Sequence, residues 1–553
     1  MASIFDNVEC VIDDAGNYIL IKIVYEGRSY TFKDSMRLFP ISLNELCKAF
    51  NVPGKLSSYQ MEWNNIEVLD NPKVMKTLLK YSKQDVIALH EALSNAQEQF
   101  INGYNVDITS SLSLPSLALR IFRLKYLDKE IPILNKINDS FVRDSYYGGS
   151  VDIYKAEAKN VYYYDKNSLY PEAMCEEMPL KHIGTVTNFE NFKLEEFFGF
   201  LEVDIECPDS VFRPVLPFKH EGRTIFPRGV FHGTYFSEEL KAVLPLGYKI
   251  VNIHAAKWFS KGFLFNQYVL DMYKLKATSD GPERFIAKLL LNSLYGIFGR
   301  KLETIKTVTV HNDQLDNYLI SHSVKNIIPI DSERTILLLS ESINNSLLEE
   351  LGNELDDTVI NFSSSVKSNV AIASAITAYA RIKMLPFKIL PYTIYTDTDS
   401  ILTTEKLPDE FIGNELGKMK DEMKGIIINE LLVLGCKQYG YYYFDKDGNR
   451  IEKSIWAGVK RNSLSFNELK YLFKGGLVTR LINNRFFKSL SNLSISIKDI
   501  NLTLKYKPFK KLVDNQYLAI KVNCPKVVKA APQVNNDKLA RYLMKLRMDV
   551  KFK

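Results

Sequence analysis

Apolar residues recur along this chain with two different periods, and the changes of period mark its elements. Strand-like runs at Tyr18 to Tyr25 and Arg28 to Phe32 open the chain, followed by helical patterns at Ser42 to Phe50 and Tyr81 to Leu93. In the second helix Tyr81, Asp85 and Leu89 share one face. Residues 96 to 145 read as helical and polar, until Tyr146-Tyr147-Gly148-Gly149 breaks the pattern. A short apolar strand, Val161 to Tyr164, runs straight into Asp165. Short strands and turns fill residues 186 to 258, and a long helix is predicted over Glu283 to Phe298. A polar, Asn/Ser-rich insertion spans residues 301 to 368. An alanine-rich helix, Ala371 to Leu385, then leads to two strands, Tyr392 to Tyr395 and Ile401-Leu402.

Three stretches on this pattern carry candidate chemistry. Tyr395-Thr396-Asp397-Thr398-Asp399-Ser400 sets two carboxylates one residue apart at a hairpin turn. Oxygen ligands of that kind suit hard cations such as Mg²⁺, although Asp, Thr and Ser also make ordinary solvated turns. Asp165-Lys166-Asn167-Ser168-Leu169-Tyr170-Pro171 puts a carboxylate at a strand end, where a turn enters a helix with Pro171 in its first turn. Backbone N–H groups there suit phosphate oxygens, and an ordinary capped turn has the same look. Lys288, Asn292 and Tyr295 fall at i, i+4 and i+7, so a cation, an amide and an aromatic ring share a helix face. The stripe fits a triphosphate and a base, or simply an amphipathic helix.

Composition changes this picture little. At 553 residues, 46% hydrophobic and 25% charged, the chain is an ordinary globular protein too long for one core. Its 31 Tyr and 32 Phe suit base stacking, but packing accounts for most of them. Net charge is +6, unevenly placed: Asn501 to Lys553 holds 13 Lys/Arg against 3 Asp/Glu, leaving about −4 for the rest. A basic segment of this kind could grip a phosphate backbone or be a solvated face. The six cysteines are scattered with no C-x-x-C pair, which argues against zinc and against a disulfide scaffold, and for a reducing compartment. No apolar run reads as membrane-spanning, and the first residues resemble neither a secretory signal nor an import presequence.

Taken together and in this order, D-x-x-S-L-Y-P, K-x-x-x-N-S-x-Y-G and Y-x-D-T-D-S resemble the A, B and C motifs of family B DNA polymerases. Thr396 stands where the family more often has Gly, with no ligand lost. Tyr146-Tyr147-Gly148-Gly149 resembles the family's Y-x-G-G motif, and Lys437-Gln438-Tyr439 its K-x-Y motif. Motifs A and B lie about 120 residues apart and B and C about 100, which resembles the protein-primed branch of phages and linear plasmids. The likeness covers residue 30 onward and weakens after 460.

The resemblance implies an α+β right-hand fold of palm, fingers and thumb, with an incomplete RNase H-like exonuclease domain in front and two insertions. Its implied divisions are 1–95 exonuclease-like, 96–150 connecting, 151–186 palm, 187–258 first insertion, 259–300 fingers, 301–368 second insertion, 369–450 palm and 451–553 thumb. It implies DNA-directed DNA synthesis with two Mg²⁺ ions (Mn²⁺ the alternative) on Asp165 and Asp399, with Asp397 nearby. Lys288 and Lys276 are the expected triphosphate cations, Ser168, Leu169 and Tyr170 the sugar side, and Asn292, Tyr295 and Gly296 the base-pair pocket. Tyr146, Gly148, Gly149, Lys437 and Tyr439 are the expected DNA contacts.

Expected partners are primer-template DNA, dNTPs and a terminal protein, for a monomer without membrane attachment. The class points to mitochondria, with the cytoplasm as alternative, and a non-catalytic nucleic-acid-binding remnant is the rival function. Tyr170 at the sugar position argues against RNA synthesis. Tyr81-Ser82-Lys83-Gln84-Asp85 resembles the third exonuclease motif, Y-x-x-x-D. Asp6, Glu9, Asp13 and Asp14 stand in no context matching the earlier ones, so Asp85 is an expected orphan and no 3′–5′ exonuclease activity is expected.

Overall fold

The computed structural model describes residues 8–12, 17–300, 305–321, 323–340, 369–489 and 494–526. Much of the basic tail, part of the second insertion, and Asp6, Asp13 and Asp14 lie outside them.

An antiparallel sheet forms the centre. Its strands run in the order Arg450–Trp456, Gln438–Phe444, Ile428–Gly435, Glu157–Lys166, Ser400–Thr403, Thr393–Asp397 and Val151–Ile153, and Met419–Asp421 adds to Glu157–Lys166. The strand leading to Asp165 is therefore central, with the Asp-x-Asp hairpin as its neighbour. Val370–Lys388 packs across this region; fourteen of its nineteen residues are buried, among them Ala371, Ala373, Ala375 and Ala378. Small side chains let neighbouring elements approach it closely, and the main core cluster forms around it. By length and composition this helix could span a membrane, which corrects the reading of the sequence. Its burial in the protein core marks it as a core helix.

A second sheet runs in the order Lys521–Cys524, Arg228–Phe236, Gly199–Cys207, Lys249–Gly262 and Met178–Val186. Alternation explains its two faces: Leu201, Val203 and Ile205 are fully buried on one side, while Glu202 and Asp204 project from the other. The Lys521–Cys524 strand joins parallel to Arg228–Phe236, nearly three hundred residues earlier. Strand Lys249–Gly262 runs past residue 258, and Met178–Val186 precedes 187, so the sheet extends beyond the range expected for the first insertion.

At the front, Val8–Ile12, Tyr18–Tyr25 and Arg28–Lys33 form a three-stranded sheet. It packs through Ile12 and Ile23 onto Ile328, Ile336 and Leu338 of a second small sheet built from Ile305–His311, Ser323–Pro329 and Arg334–Ser340. Between these sheets in the sequence come Leu43–Ala49, opened by a Ser42–Glu45 capping box, and the 33-residue helix Pro72–Tyr104, which pack in the main core. The predicted helix over Glu283 to Phe298 is shorter: Gly281–Ser293 is α-helical, and Tyr295–Gly299 tightens into a 3₁₀ turn. Gly296 and Gly299, poor helix formers, sit at that break.

Candidate active site

Register brings the acidic residues of two motifs together. Ser400 pairs with Asp165 across adjacent strands, and the Lys166 N–H donates to the Asp399 carbonyl at 2.7 Å. Between Asp397 and Ser400 the turn has only two residues, and Thr398 takes φ +61°. A β-branched residue there is strained, on the order of 1–3 kcal/mol. Its N–H donates to the Ser150 carbonyl at 2.9 Å, which holds the turn in place. Gly149 explains the second glycine of the Tyr146 to Gly149 motif. A Cβ there would lie 2.6 Å from Thr398 Cγ2 and 3.0 Å from the Tyr170 hydroxyl. Tyr146 fills the space beside Gly299, where a Cβ would meet its ring at 2.5 Å. Gly148 is anchored through its carbonyl, which accepts from Arg381 at 2.9 Å.

The two central carboxylates are electrostatically unbalanced. Burial first, then Asp399 and Glu422, push the Asp165 carboxyl up to about 7, against the pull of Lys420. Burial also raises Asp399, with Asp397 adding to the effect. Asp397 differs: Lys437 Nζ reaches its Oδ1 at 2.7 Å, and the Tyr395 hydroxyl donates to Oδ2 at 3.3 Å. The set is all oxygen and its charge is unmet, a fit for hard divalent cations at Asp165 and Asp399 more than at Asp397.

Cations cluster nearby. Lys276 Nζ donates to Ser168 Oγ at 3.1 Å, and burial, then Arg284, Lys288 and Lys420, lower its pKa. Lys288 and Asn292 are exposed on the Gly281–Ser293 helix, and Gly296 is open just beyond its end. The Tyr170 and Tyr295 rings stack at 4.3 Å with 12° between planes, joining the helix after Asp165 to the one after Lys288. A groove of about 430 Å³ opens beside Asn292, Tyr295 and Gly296, with Arg37 and Pro40 on its far wall.

Two expected contacts are placed differently. The Tyr439 ring is 4% exposed and packs on Tyr395 at 5.1 Å, so its side chain supports the hairpin instead of facing DNA. Leu169 is buried, so only its backbone can face a ligand. In the front helix, Lys55 Nζ reaches both the Tyr81 hydroxyl at 2.6 Å and Asp85 Oδ2 at 3.0 Å. Tyr81 is buried against Trp63, and Asp85 is held in a partly exposed ion pair with Lys55.

Several supporting residues carry no local signal in the sequence. Arg381 forms a fully buried double contact with Glu239 at 2.5 and 2.7 Å while donating to the Tyr147 and Gly148 carbonyls. Beneath the hairpin, Asp152 faces Lys510 at 2.5 Å and Lys388 at 3.6 Å, and Lys388 also donates to Ser150 Oγ at 2.7 Å. Burial pulls Lys388 down to about 7, against the pull of Asp152. Lys420 and Glu422, beside Asp165, are a further pair that motif reading passes over. Alternation along Met419–Asp421, paired with the Asp165 strand, is the one signal that could have found Lys420.

The family described as DNA polymerase type B, organellar and viral, matches residues 54–393. A probable DNA polymerase of Podospora anserina is 32% identical over 492 residues, covering 80% of this chain and 41% of the relative. One from Neurospora intermedia is 32% identical over 473 residues, covering 82% and 46%. The chain therefore spans less than half the length of these curated relatives. Among solved structures, Phi29 DNA polymerase complexed with primer-template DNA and incoming nucleotide substrates aligns with a TM-score of 0.66 at 18% identity. It covers 91% of this chain and 86% of that one, which establishes the right-hand fold. With the family matched over more than half of its residues, this chain belongs to the organellar and viral type B DNA polymerases.

Proposed function

We propose that this chain is a DNA-directed DNA polymerase that extends a primer 3′-hydroxyl with dNTPs and starts from a terminal protein. One observation carries the reading: Asp165 and Asp399 are adjacent, unbalanced carboxylates, Lys420 acts on both Asp165 and Lys276, and Lys276 reaches Ser168 beside the stacked Tyr170 and Tyr295. In the reaction the primer 3′-hydroxyl gives up its proton to solvent as its oxygen forms a bond to the α-phosphorus, the bond to the bridging oxygen breaks, and pyrophosphate leaves. Asp165 and Asp399 are the residues that would hold two Mg²⁺ ions, with Asp397 beside them. Bound there, the ions supply charge stabilisation to the attacking and leaving oxygens.

The chain's own groups do the rest. Lys276 and Lys288 neutralise the triphosphate. The Tyr170 ring lies under the deoxyribose and leaves no room for a 2′-hydroxyl, while Tyr295 and Asn292 meet the nascent base pair. Lys437 is the contact for the primer strand. Protein priming draws its support from the spacing between the motifs, and the absence of proofreading from Lys55 neutralising Asp85.

Primer extension with dNTPs, with rNTPs and without nucleotide tests the reading, and a terminal protein in place of the DNA primer tests its priming. Asp399→Ala should abolish incorporation while DNA binding remains. DNA binding without any incorporation by the wild-type chain would make it a non-catalytic remnant instead. Tyr170→Val should admit ribonucleotides; unchanged sugar selectivity overturns the gate. Degradation of a 3′-labelled strand in Mg²⁺ overturns the absence of proofreading.

A further inference from the structure

On the polar face of the second sheet, three strands bring Asp204, His232 and His254 together. Asp204 lies directly opposite His232 on one neighbouring strand and Asn252 on the other. Register shifts on either side of Asn252 place His254 in a bulge, aimed at the same carboxylate. Asp204 is 2% exposed; its Oδ1 faces His232 Nδ1 at 3.0 Å and its Oδ2 faces His254 Nε2 at 2.8 Å. The three ligand atoms lie within 4.8 Å of one another.

We infer that Asp204, His232 and His254 form a site for one borderline divalent cation of the zinc type, distinct from the oxygen-only pair at Asp165 and Asp399. Two imidazoles and a carboxylate are the donors such ions prefer, and three protein ligands leave a fourth position for water. Bonds of ~2.0–2.1 Å in a tetrahedron separate ligand atoms by about 3.3 Å. The 3.0 and 2.8 Å contacts run to the two different Asp204 oxygens, so an ion taking one of them draws the rings inward from a set whose ligand atoms already lie within 4.8 Å of one another.

The surroundings point the same way. Glu202 Oε1 lies 3.0 Å from His232 Nε2, so that nitrogen can donate its proton to the carboxylate while Nδ1 faces Asp204. A carboxylate behind a ligating histidine fixes the ring and its tautomer. Asn252 Nδ2 steadies Asp204 Oδ2 at 3.3 Å. The Lys526 N–H donates to Asp204 Oδ1 at 2.9 Å, and its Nζ to Glu202 at 2.8 Å. An ion here replaces the hydrogens now shared between the carboxylate and the two rings, releases protons, and fastens the segment around Lys526 to the sheet.

The test is titration of the full chain with Zn²⁺, then with Co²⁺ as the coloured substitute. One equivalent should give the strong visible band of four-coordinate Co²⁺, which an oxygen-only six-coordinate site does not. His254→Gln should weaken Zn²⁺ binding at least about 100-fold and remove the band, and Glu202→Gln should weaken it about 10-fold. Cys524→Ser and Asp399→Ala should leave the band unchanged. A melting curve in chelator confirms that each variant folds. No band from the folded wild-type chain, or a band that survives in folded His254→Gln, overturns the site.

Discussion

Two sheets in this chain each gather buried or half-buried acids, and the two gatherings are held in opposite states. Around Asp165 and Asp399, burial and neighbouring carboxylates raise both carboxyls, Asp165 to about 7. At Glu202 and Asp204 burial also opposes ionisation, but histidine and Lys526 contacts outweigh it and hold both at about 2. Carboxylates left without partners fit a site completed by a cation from outside. Those already ringed by donors contribute to the fold without one, and a metal there substitutes for hydrogen bonds. Nitrogen donors set the second site's preference for a borderline ion, just as the all-oxygen first site prefers a hard one.

The sharpest way to break this comparison is Asp399→Ala. Incorporation should fall by roughly 10⁴-fold or more while primer-template affinity stays within about 2-fold, and His254→Gln should leave incorporation unchanged. Loss in both variants would make the sites one unit. Next in size is Glu239→Gln, which strands the buried Arg381 guanidinium and should cost about 3–5 kcal/mol in denaturant unfolding. A loss under 1 kcal/mol would mean that water reaches the pair.

Gly149→Ala pushes a methyl into Thr398 and Tyr170, and should lower kcat about 10²-fold with little change in melting temperature. Full activity would uncouple that glycine from the turn. The smallest effects have opposite signs. In chelator, Asp204→Asn should destabilise by about 1–3 kcal/mol, whereas Asp165→Asn should stabilise by about 1 kcal/mol through relief of repulsion. Equal signs in thermal melts would erase the distinction between the two groups of acids.

Local chemistry made part of this legible in the sequence. The Val161 to Asp165 strand, the Asp-x-Asp hairpin and the Ser42 helix start are set by neighbours a few residues apart, so periodicity and capping reveal them. The helix carrying Lys288 ends early, at Ser293, because Gly296 and Gly299 follow it, a local signal outweighed by the apolar periodicity that runs on to Phe298. Contacts made by register across distant strands left no such trace. Arg381 finds Glu239 across 142 residues, Lys437 finds Asp397 across 40, and Lys510 reaches Asp152 from the far end of the chain. The histidine site was half visible: Glu202 and Asp204 alternate on one strand face, but the bulge that aims His254 is a property of pairing.

The parallel strand Lys521–Cys524 also sets an order in time. Its partner, Arg228–Phe236, is made nearly three hundred residues earlier. At 5–20 residues per second, the ribosome leaves that edge waiting on the order of 15–60 s for the strand that covers it. Lys510, the cation beneath the hairpin, arrives just as late. The same late stretch thus covers the edge of the second sheet and completes the charge contact beneath the first, and until it emerges the open edge of the second is the nascent chain's point of exposure to misassembly.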